Sequence, residues 1–489
     1  MAKAEGKQTS HWLILILLAL AQFMVVLDVS IVNVALPAIQ KAFHMTPENL
    51  QWIVTAYTLT FGGALLLGGR AADLFGRRRV FLTGITLFTI VSLADGLAQS
   101  GTMLIIFRAL QGLAGAFMSP AALSIVLVTY RQGHERNVAL SVWGAVAAGG
   151  AAVGVLLGGI LTQYLDWRWN FFINVPVGIF VVLTSLRILD KHESTADHSS
   201  LDLPGAVLVT GGLMVLVYAL VKAPTEGWTS SPSLIRFGIA IAALILFIVN
   251  ESRVKHPLIP LGIFKIRNLS GADFLMLLMT AGMFSVFFFL TLYLQNILGY
   301  SAVKTGFSFL VIPIVIALTA TNVPRLIKRI GYRPILIVSP LFVSSALFWL
   351  SHIPVNGNFW SNVAPGMILM GLGMGATFVS VSIAATDGVP AHESGLASGL
   401  LNTSQQIGGA IGLAVLLGIS TSATRRYVTN HAHDGALQAV QIAGTVHGFQ
   451  RGFLIASTFG ILASLTAILV LRHNPSADGA PGESAVGMH

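Results

Sequence analysis

One carboxylate stands where a lipid-crossing helix would ordinarily have none. Asp28 lies within Leu13 to Ala35, LILILLALAQFMVVLDVSIVNVA, an apolar run long enough to cross a ~30 Å hydrocarbon core as one helix. An ionised Asp at mid-bilayer costs ~2.5–3.5 kcal/mol on insertion scales, so it persists only facing a water-filled cavity, paired with a cation, or protonated. All three point to a route for protons or cations; the plainer alternative is a carboxylate satisfied by a neighbouring helix for folding alone. A second charge, Arg108, stands in the apolar LIIFRALQGLAGA of Leu104 to Ala116. Its guanidinium cannot give up its charge and so needs an acceptor or water. An Arg beside a carboxylate lowers that carboxylate's affinity for protons and burial raises it, so moving the Arg or admitting a cation changes proton occupancy.

The elements that must hold these residues follow from composition. Of 489 residues, 55% are hydrophobic and 10% charged, and the apolar positions gather in blocks of about 20. This is the pattern of an all-α, polytopic membrane protein; a soluble chain would need more charge to cover its surface. The net charge of +9 does not signal nucleic acid, because Lys and Arg sit in short interhelical loops and not on one basic face with interleaved aromatics. Absence of Cys excludes disulfides and thiolate chemistry. The 13 His lie in loops, tails or span ends, so no buried His relay is expected, and His431 with His433 reads as a solvated loop and not a metal site. No nucleotide-binding Gly-rich loop, nucleophile triad or metal set supports an enzyme, and no cofactor is implied. Residues Met1 to Ser10 lack a cleavage site, so the first apolar run reads as a retained anchor.

Fourteen spans are counted, starting near Trp12, Leu50, Val80, Thr102, Val138, Asn170, Leu203, Leu234, Ser270, Thr305, Ile335, Ser361, Leu396 and Gly452. An even number puts both termini on one face. The loops of that face, from Arg70 and Arg77 to Arg79 through Arg325, Lys328 and Arg333, hold most of the basic residues; the other face, with Lys41, Arg168, Lys222, Arg236, Lys304, Arg425, Arg426 and Arg451, holds fewer than half as many. By the positive-inside rule both ends are cytoplasmic. The loop from Gly69 to Arg79 is echoed 255 residues later by Pro324 to Arg333, with Arg70 matching Arg325 and Gly76 matching Gly331. The expected organisation is a six-helix bundle over 1–200, two inserted spans over 201–255, a second six-helix bundle over 256–473, and a disordered tail over 474–489.

At these residues the chain resembles the major facilitator superfamily, and within it the fourteen-helix drug:proton antiporters. Gly69, Arg70, Asp73, Gly76, Arg77 and Arg78 match the superfamily's loop signature between helices 2 and 3. Gly69 would allow close helix approach, Gly76 a tight reversal, and the arginines would hold the turn at an anionic surface. The resemblance makes Asp73 a gating latch against span thirteen, with a simple turn cap as the alternative. Arg108 followed by Gln111 and Gly112 looks like the second signature and implies a proton-coupling role. Asp28, Asn33 and Pro37 keep the spacing of the group's first-helix signature, which implies that Asp28 takes a proton from outside and releases it inside. Trp167 to Gly178 also looks like the family, though as a matter of energetics it reads as an interfacial aromatic belt. In span five, Gly144, Gly149, Gly150, Gly154, Gly158 and Gly159 stand in the antiporter signature region, but Val155 and Ala151 replace its prolines, which weakens obligatory exchange.

For a ligand cavity, Asn402 and Gln405 share a helical face in span thirteen. Asn33, Tyr57, Gln111, Met118, Phe284, Phe287 and Tyr293 could add a deformable lining for lipophilic molecules. Asp95 and Asp273 lie close enough to the interfaces to be solvated. The expected function is proton-coupled export of lipophilic, possibly cationic, compounds from the cytoplasm or inner leaflet by alternating access, in a plasma (inner) membrane, driven by the proton gradient. A periplasmic adaptor is a possible partner in a two-membrane cell. The alternatives are a lipid or lipophilic-metabolite exporter on the same scaffold and, more remotely, a non-transporting receptor.

Overall fold

The computed structural model describes residues 2–130, 133–189, 201–390, 393–433 and 436–472. The proposed tail over 474–489, Arg131 and Lys191 lie outside the described residues. Among the described residues, fourteen helices are long and apolar enough to cross a membrane: α1 His11–Phe43, α2 Pro47–Phe75, α3 Arg77–Gly96, α4 Gly101–Thr129, α5 His134–Tyr164, α6 Trp169–Ile188 and α7 Leu203–Glu226 precede α8 Ser231–Arg253, α9 Arg267–Ile297, α10 Ala302–Ile330, α11 Tyr332–Leu350, α12 Phe359–Thr386, α13 Ser394–Asn430 and α14 Leu437–Leu469. The all-helical membrane fold read from the sequence is the one the chain adopts. Several starts are set by serine caps: Ser100 Oγ accepts from Met103 N at 3.2 Å ahead of α4, and Ser301 Oγ from Lys304 N at 3.2 Å ahead of α10.

The internal repeat is physical as well as textual. Gly76 ends α2 at φ 91° and Gly331 ends α10 at φ 77°, left-handed conformations that favour glycine. Two residues beyond each, an arginine reaches the last turn of its bundle's final helix. Arg78 Nη2 donates to Leu186 O at 2.8 Å, and Arg333 Nη2 donates to Ile468 O at 3.0 Å. In each half, the same guanidinium fills an otherwise orphaned helix-end carbonyl.

One boundary differs from the sequence reading. Helix α14 starts at Leu437, not Gly452, because its polar opening turns pack on α13: a Cβ at Gly448 would lie 2.6 Å from Ser420 O. Arg425, Arg426, His447 and Arg451 consequently sit on helical extensions and not in a loop.

Helices α1–α6 form one bundle and α9–α14 a second. Between them α7 rests on α2 and α13, where Leu59, Leu213, Val217, Val221, Ala410 and Ala414 make a common apolar core. Helix α8 is pinned to α7 by Asn250, whose Nδ2 donates to both Asp202 oxygens at 2.9 and 2.8 Å. The bundles meet in the half away from the termini: Val303 N donates to Gln163 Oε1 at 3.1 Å, and Gln295 Nε2 to Val34 O at 2.9 Å. At mid-depth Thr403 Oγ1 donates to Gly62 O at 3.2 Å. Towards the terminal face α5 leaves its neighbours, and a Cβ at Gly144 or Gly149 would meet nothing within 4 Å.

Helix α5 is held along α1 by glycines one turn apart. A Cβ at Gly150 would lie 3.2 Å from Val26 Cβ, at Gly154 2.7 Å from Ser30 Cβ, and at Gly158 2.6 Å from Ile31 O. Adding a methyl to a filled crossing costs ~1–3 kcal/mol, whereas Ala gains ~0.5–1 kcal/mol over Gly in an open helix position. Gly154→Ala should therefore lower the thermal unfolding midpoint of the purified protein, and Gly144→Ala should leave it unchanged or raise it. Equal midpoints for the two variants would refute the packing assigned to this stripe.

Candidate functional site

The charges of α1 and α4 meet. Arg108 Nη1 lies 2.5 Å from Asp28 Oδ2, with the two side chains 1% and 0% exposed. Arg108 Nε donates to Ile53 O at 3.1 Å, and Nη1 also donates to Gln111 Oε1. Gln111 Nε2 returns to Asp28 Oδ1 at 3.0 Å, and Asn174 Nδ2 of α6 donates to the same oxygen at 3.1 Å. Asn174 Nδ2 also reaches Ser92 Oγ of α3 at 3.1 Å, and Ser92 donates to Phe171 O at 2.9 Å. Tyr57 of α2 lays its ring 4.3 Å from the guanidinium carbon, and Phe171 lies 5.8 Å away. Five helices thus surround one ion pair, and a Cβ at Gly112, 2.3 Å from Tyr57 O, shows why α4 carries glycine where it crosses α2.

Asp28 accepts three hydrogen bonds and donates none, the pattern of an ionised carboxylate. For a proton to take the Oδ2 position that faces Arg108, the guanidinium must withdraw.

The other residues singled out in the sequence take different places. Gln111 and Tyr57 belong to the ion-pair cage and do not line an open cavity. Asn33 turns its amide back to Val29 O at 2.8 Å, and Pro37, four residues on, cannot donate to the Asn33 carbonyl, so the two together interrupt the α1 ladder. Met118 and Tyr293 are not exposed to a space between bundles: Met118 packs beneath Gly84 of α3, and Tyr293 donates to Pro354 O at 2.6 Å inside the second bundle. Asn402 is exposed, and Gly409, seven residues on and therefore on the same face, would place a Cβ 2.8 Å from the Phe284 ring. Gln405 is half-buried on the same helix; Phe287 packs at a tilt against Phe309 of α10, ring centroids 5.2 Å apart.

The expected loop is a single residue, Gly76, between two helices: Asp73, 52% exposed with its carboxylate 3.8 Å from Arg77, and Arg70 both stand on the last turns of α2. Gly76 makes the reversal. Gly69 is not the close-contact glycine: a Cβ there would meet only Pro120 at 3.8 Å, whereas one at Gly68 would strike Ala116 O at 2.0 Å. In α5, Gly150, Gly154 and Gly158 face α1, and Gly159 faces α10 with a Cβ position 2.6 Å from Ala302 O.

Two further readings are corrected by the structure. Asp95 and Asp273 are not solvated: they are 0% and 6% exposed, and no oxygen of either has a hydrogen-bond partner. The end of α3 that carries Asp95 is covered by α6, where a Cβ at Gly96 would lie 2.2 Å from the Phe172 ring. The Trp167 to Gly178 segment is for the same reason more than an aromatic belt, since Phe171 and Asn174 turn inward onto the ion pair. Asn174 was legible only as a polar residue inside an apolar block. Among the described residues, no three His, Asp or Glu side chains gather as a metal site.

Asn174 gives the sharpest test of this cage. A hydrogen bond to a charged group contributes ~1.5–3 kcal/mol, so Asn174→Leu should destabilise the protein by about that amount in thermal unfolding of the purified chain. Unfolding at the wild-type temperature would return the segment to an interfacial role.

Comparisons with known proteins agree with this architecture. A family model described as Major Facilitator Superfamily matches residues 18–413. The puromycin resistance protein pur8 of Streptomyces alboniger is 40% identical over 99% of this chain and 96% of its own length. The cephamycin export protein CmcT of Amycolatopsis lactamdurans is 37% identical over 84% of this chain and 85% of its own. Among solved structures, a bacterial homolog of the human lysosomal transporter Spinster in an inward-facing and occupied conformation superposes with a TM-score of 0.67 at 16% identity, covering 96% of this chain and 98% of that one. The chain is a multi-pass membrane transporter, not an enzyme, and it belongs to the major facilitator superfamily.

Proposed function

We propose that this protein exports lipophilic small molecules, antibiotics among them, in exchange for protons, with Asp28 as the proton-carrying group and Arg108 as the switch that sets its occupancy. The buried 2.5 Å ion pair carries this reading, because a membrane protein does not need both charges inside the bilayer unless one of them changes state. Relatives named for puromycin resistance and cephamycin export support the substrate class. The excess of basic residues on the terminal face supports both chain ends lying in the cytoplasm of a plasma (inner) membrane, so that substrate, meeting Asn402, Gln405 and Phe284, loads from the cytoplasm or the inner leaflet.

The ion pair supports the following cycle. With Arg108 on Asp28 the site is neutral as a pair and holds no exchangeable proton. When the far face opens, a proton adds to Asp28 and Arg108 withdraws; when the terminal face opens, substrate binding or the return of Arg108 expels that proton to the cytoplasm. The energy comes from the proton gradient and no cofactor takes part. One charge moved through 100 mV supplies ~2.3 kcal/mol, and a tenfold concentration ratio needs ~1.4 kcal/mol. One proton per neutral substrate therefore sustains gradients of a few tens-fold from the potential alone.

Reconstituted vesicles with an imposed pH gradient test this, with puromycin as the probe. The wild-type chain should move it in a gradient-dependent manner, and Asp28→Asn should lower the initial rate at least tenfold. An unchanged rate in Asp28→Asn, or wild-type transport that ignores collapse of the gradient, would overturn the proposal. Stimulation of proton release by phospholipid and not by puromycin would make the substrate a lipid.

A further inference from the structure

Among the described residues, Asp95 is the one buried acid of the first bundle that the cycle above leaves unused. It is 0% exposed, and neither oxygen has a hydrogen-bond partner. A bare carboxylate in such a place is not tenable, since burial of an ion without a partner costs far more than protonating it. Its position is equally specific. Asp95 stands one turn along α3 from Ser92, ~4.5 Å of helical rise towards the far face, and Ser92 is bonded through Asn174 to Asp28 Oδ1. Above it, Phe172 closes on Gly96, and Arg168 Nη2 donates to Ala98 O at 3.3 Å. Asp95 thus sits between the ion pair and the far face.

The charged and titratable groups that face it are few. Helix α1 brings Asp28, α4 brings Arg108 and α2 brings Tyr57, all within electrostatic reach; α6 brings the neutral Asn174 and Phe172. There is one buried cation for two buried acids. While Arg108 is committed to Asp28, Asp95 is left uncompensated.

The geometry points to Asp95 as a second proton-binding site, sharing Arg108 with Asp28 and lying on the far-face side of it. At any moment one carboxylate pairs with Arg108 and the other carries a proton. Protonated Asp95 with the Asp28 to Arg108 pair converts into the Asp95 to Arg108 pair with protonated Asp28: one proton leaves the Asp95 oxygen, one binds Asp28, and the guanidinium follows the charge. Net charge is conserved throughout. This inference rests on the proton-coupled reading of Asp28, and it adds the group through which protons reach that residue from the far face.

Infrared spectroscopy of the purified protein reads the state of Asp95 without any transport. At neutral pH the wild-type minus Asp95→Asn difference spectrum should contain the carbonyl band of a protonated carboxylic acid. In Asp28→Asn, which frees Arg108, the same band should be lost and replaced by a carboxylate signal removed by a second Asp95→Asn change. Absence of the acid band in the wild-type difference, or its persistence in Asp28→Asn, would overturn the shared-arginine arrangement. Should Asp95→Asn fail to fold, Asp95→Ser removes the acid with less volume and is read in the same way. Failure here with intact gradient-driven puromycin transport would leave Asp28 as the sole carrier; a correct band pattern with no gradient-dependent transport would instead refute the exchange reading.

Discussion

A charge inside a bilayer must be matched, and in this chain Asp28 and Arg108 match one another with almost no solvent contact. Desolvation of each ion costs several kcal/mol, which mutual attraction offsets only when geometry is good and the remaining hydrogen-bonding positions are filled. They are filled here: Gln111 and Asn174 complete Asp28, while Ile53 O and the faces of Tyr57 and Phe171 complete Arg108. Every helix that touches this pair is therefore fixed in register by it. The same economy of partners makes the pair a switch, because no substitute anion or cation is close at hand when one member changes state, other than Asp95.

Much of this arrangement was legible in the sequence. Asp28 and Arg108 announced themselves as charges inside apolar runs, and the recurrence of Gly76 and Gly331 announced two like halves. What failed to show was direction. Asn174 is an amide among aromatics at the mouth of a span, and its partner lies 146 residues away, so nothing local separates an inward amide from an interfacial one. Asp95 stands at the end of an apolar block, which ordinarily means the interface, and only the fold of α6 over α3 buries it. Neighbouring glycines differ by 100° around a helix, which is why Gly69 was taken for the contact that Gly68 makes. Helix α9 is apolar on nearly every side, so Tyr293 could not be told from Phe284 by pattern, although one is bonded inside the bundle and the other packs on Gly409 of α13.

The glycine stripe of α5 relates the switch to the wider structure. Gly150, Gly154 and Gly158 place α5 directly on the turns of α1 that flank Asp28, contacting Val26, Ser30 and Ile31. A side chain at any of them would move α1 and with it the carboxylate. Helix position and the ion pair are thus mechanically joined: α5 cannot shift against α1 without disturbing the side chain that α1 presents to Arg108. Small residues allow backbones to approach closely in lipid, where no hydrophobic drive holds helices together.

The seams between the bundles are unequal, and the difference bears on how the two faces can open. On one side α7 covers α2 and α13, with Pro224 against Gly418 and Thr210 against Gly63, so those helices can part only if α7 moves too. On the other side α5 meets α10 through Gly159 on Ala302 O and Gly306 on Val155 O. Glycine-to-backbone contacts interlock no side chains, so the bond from Val303 N to Gln163 Oε1 is a side-chain tie added to this seam. Val155 stands at the centre of it, where the antiporter resemblance has proline. Its N–H can bond the carbonyl of Ala151, the other residue that replaces a proline, and a proline at 155 would delete that bond and press its ring on the same carbonyl. Helix α5 is consequently continuous where relatives of that pattern are expected to bend.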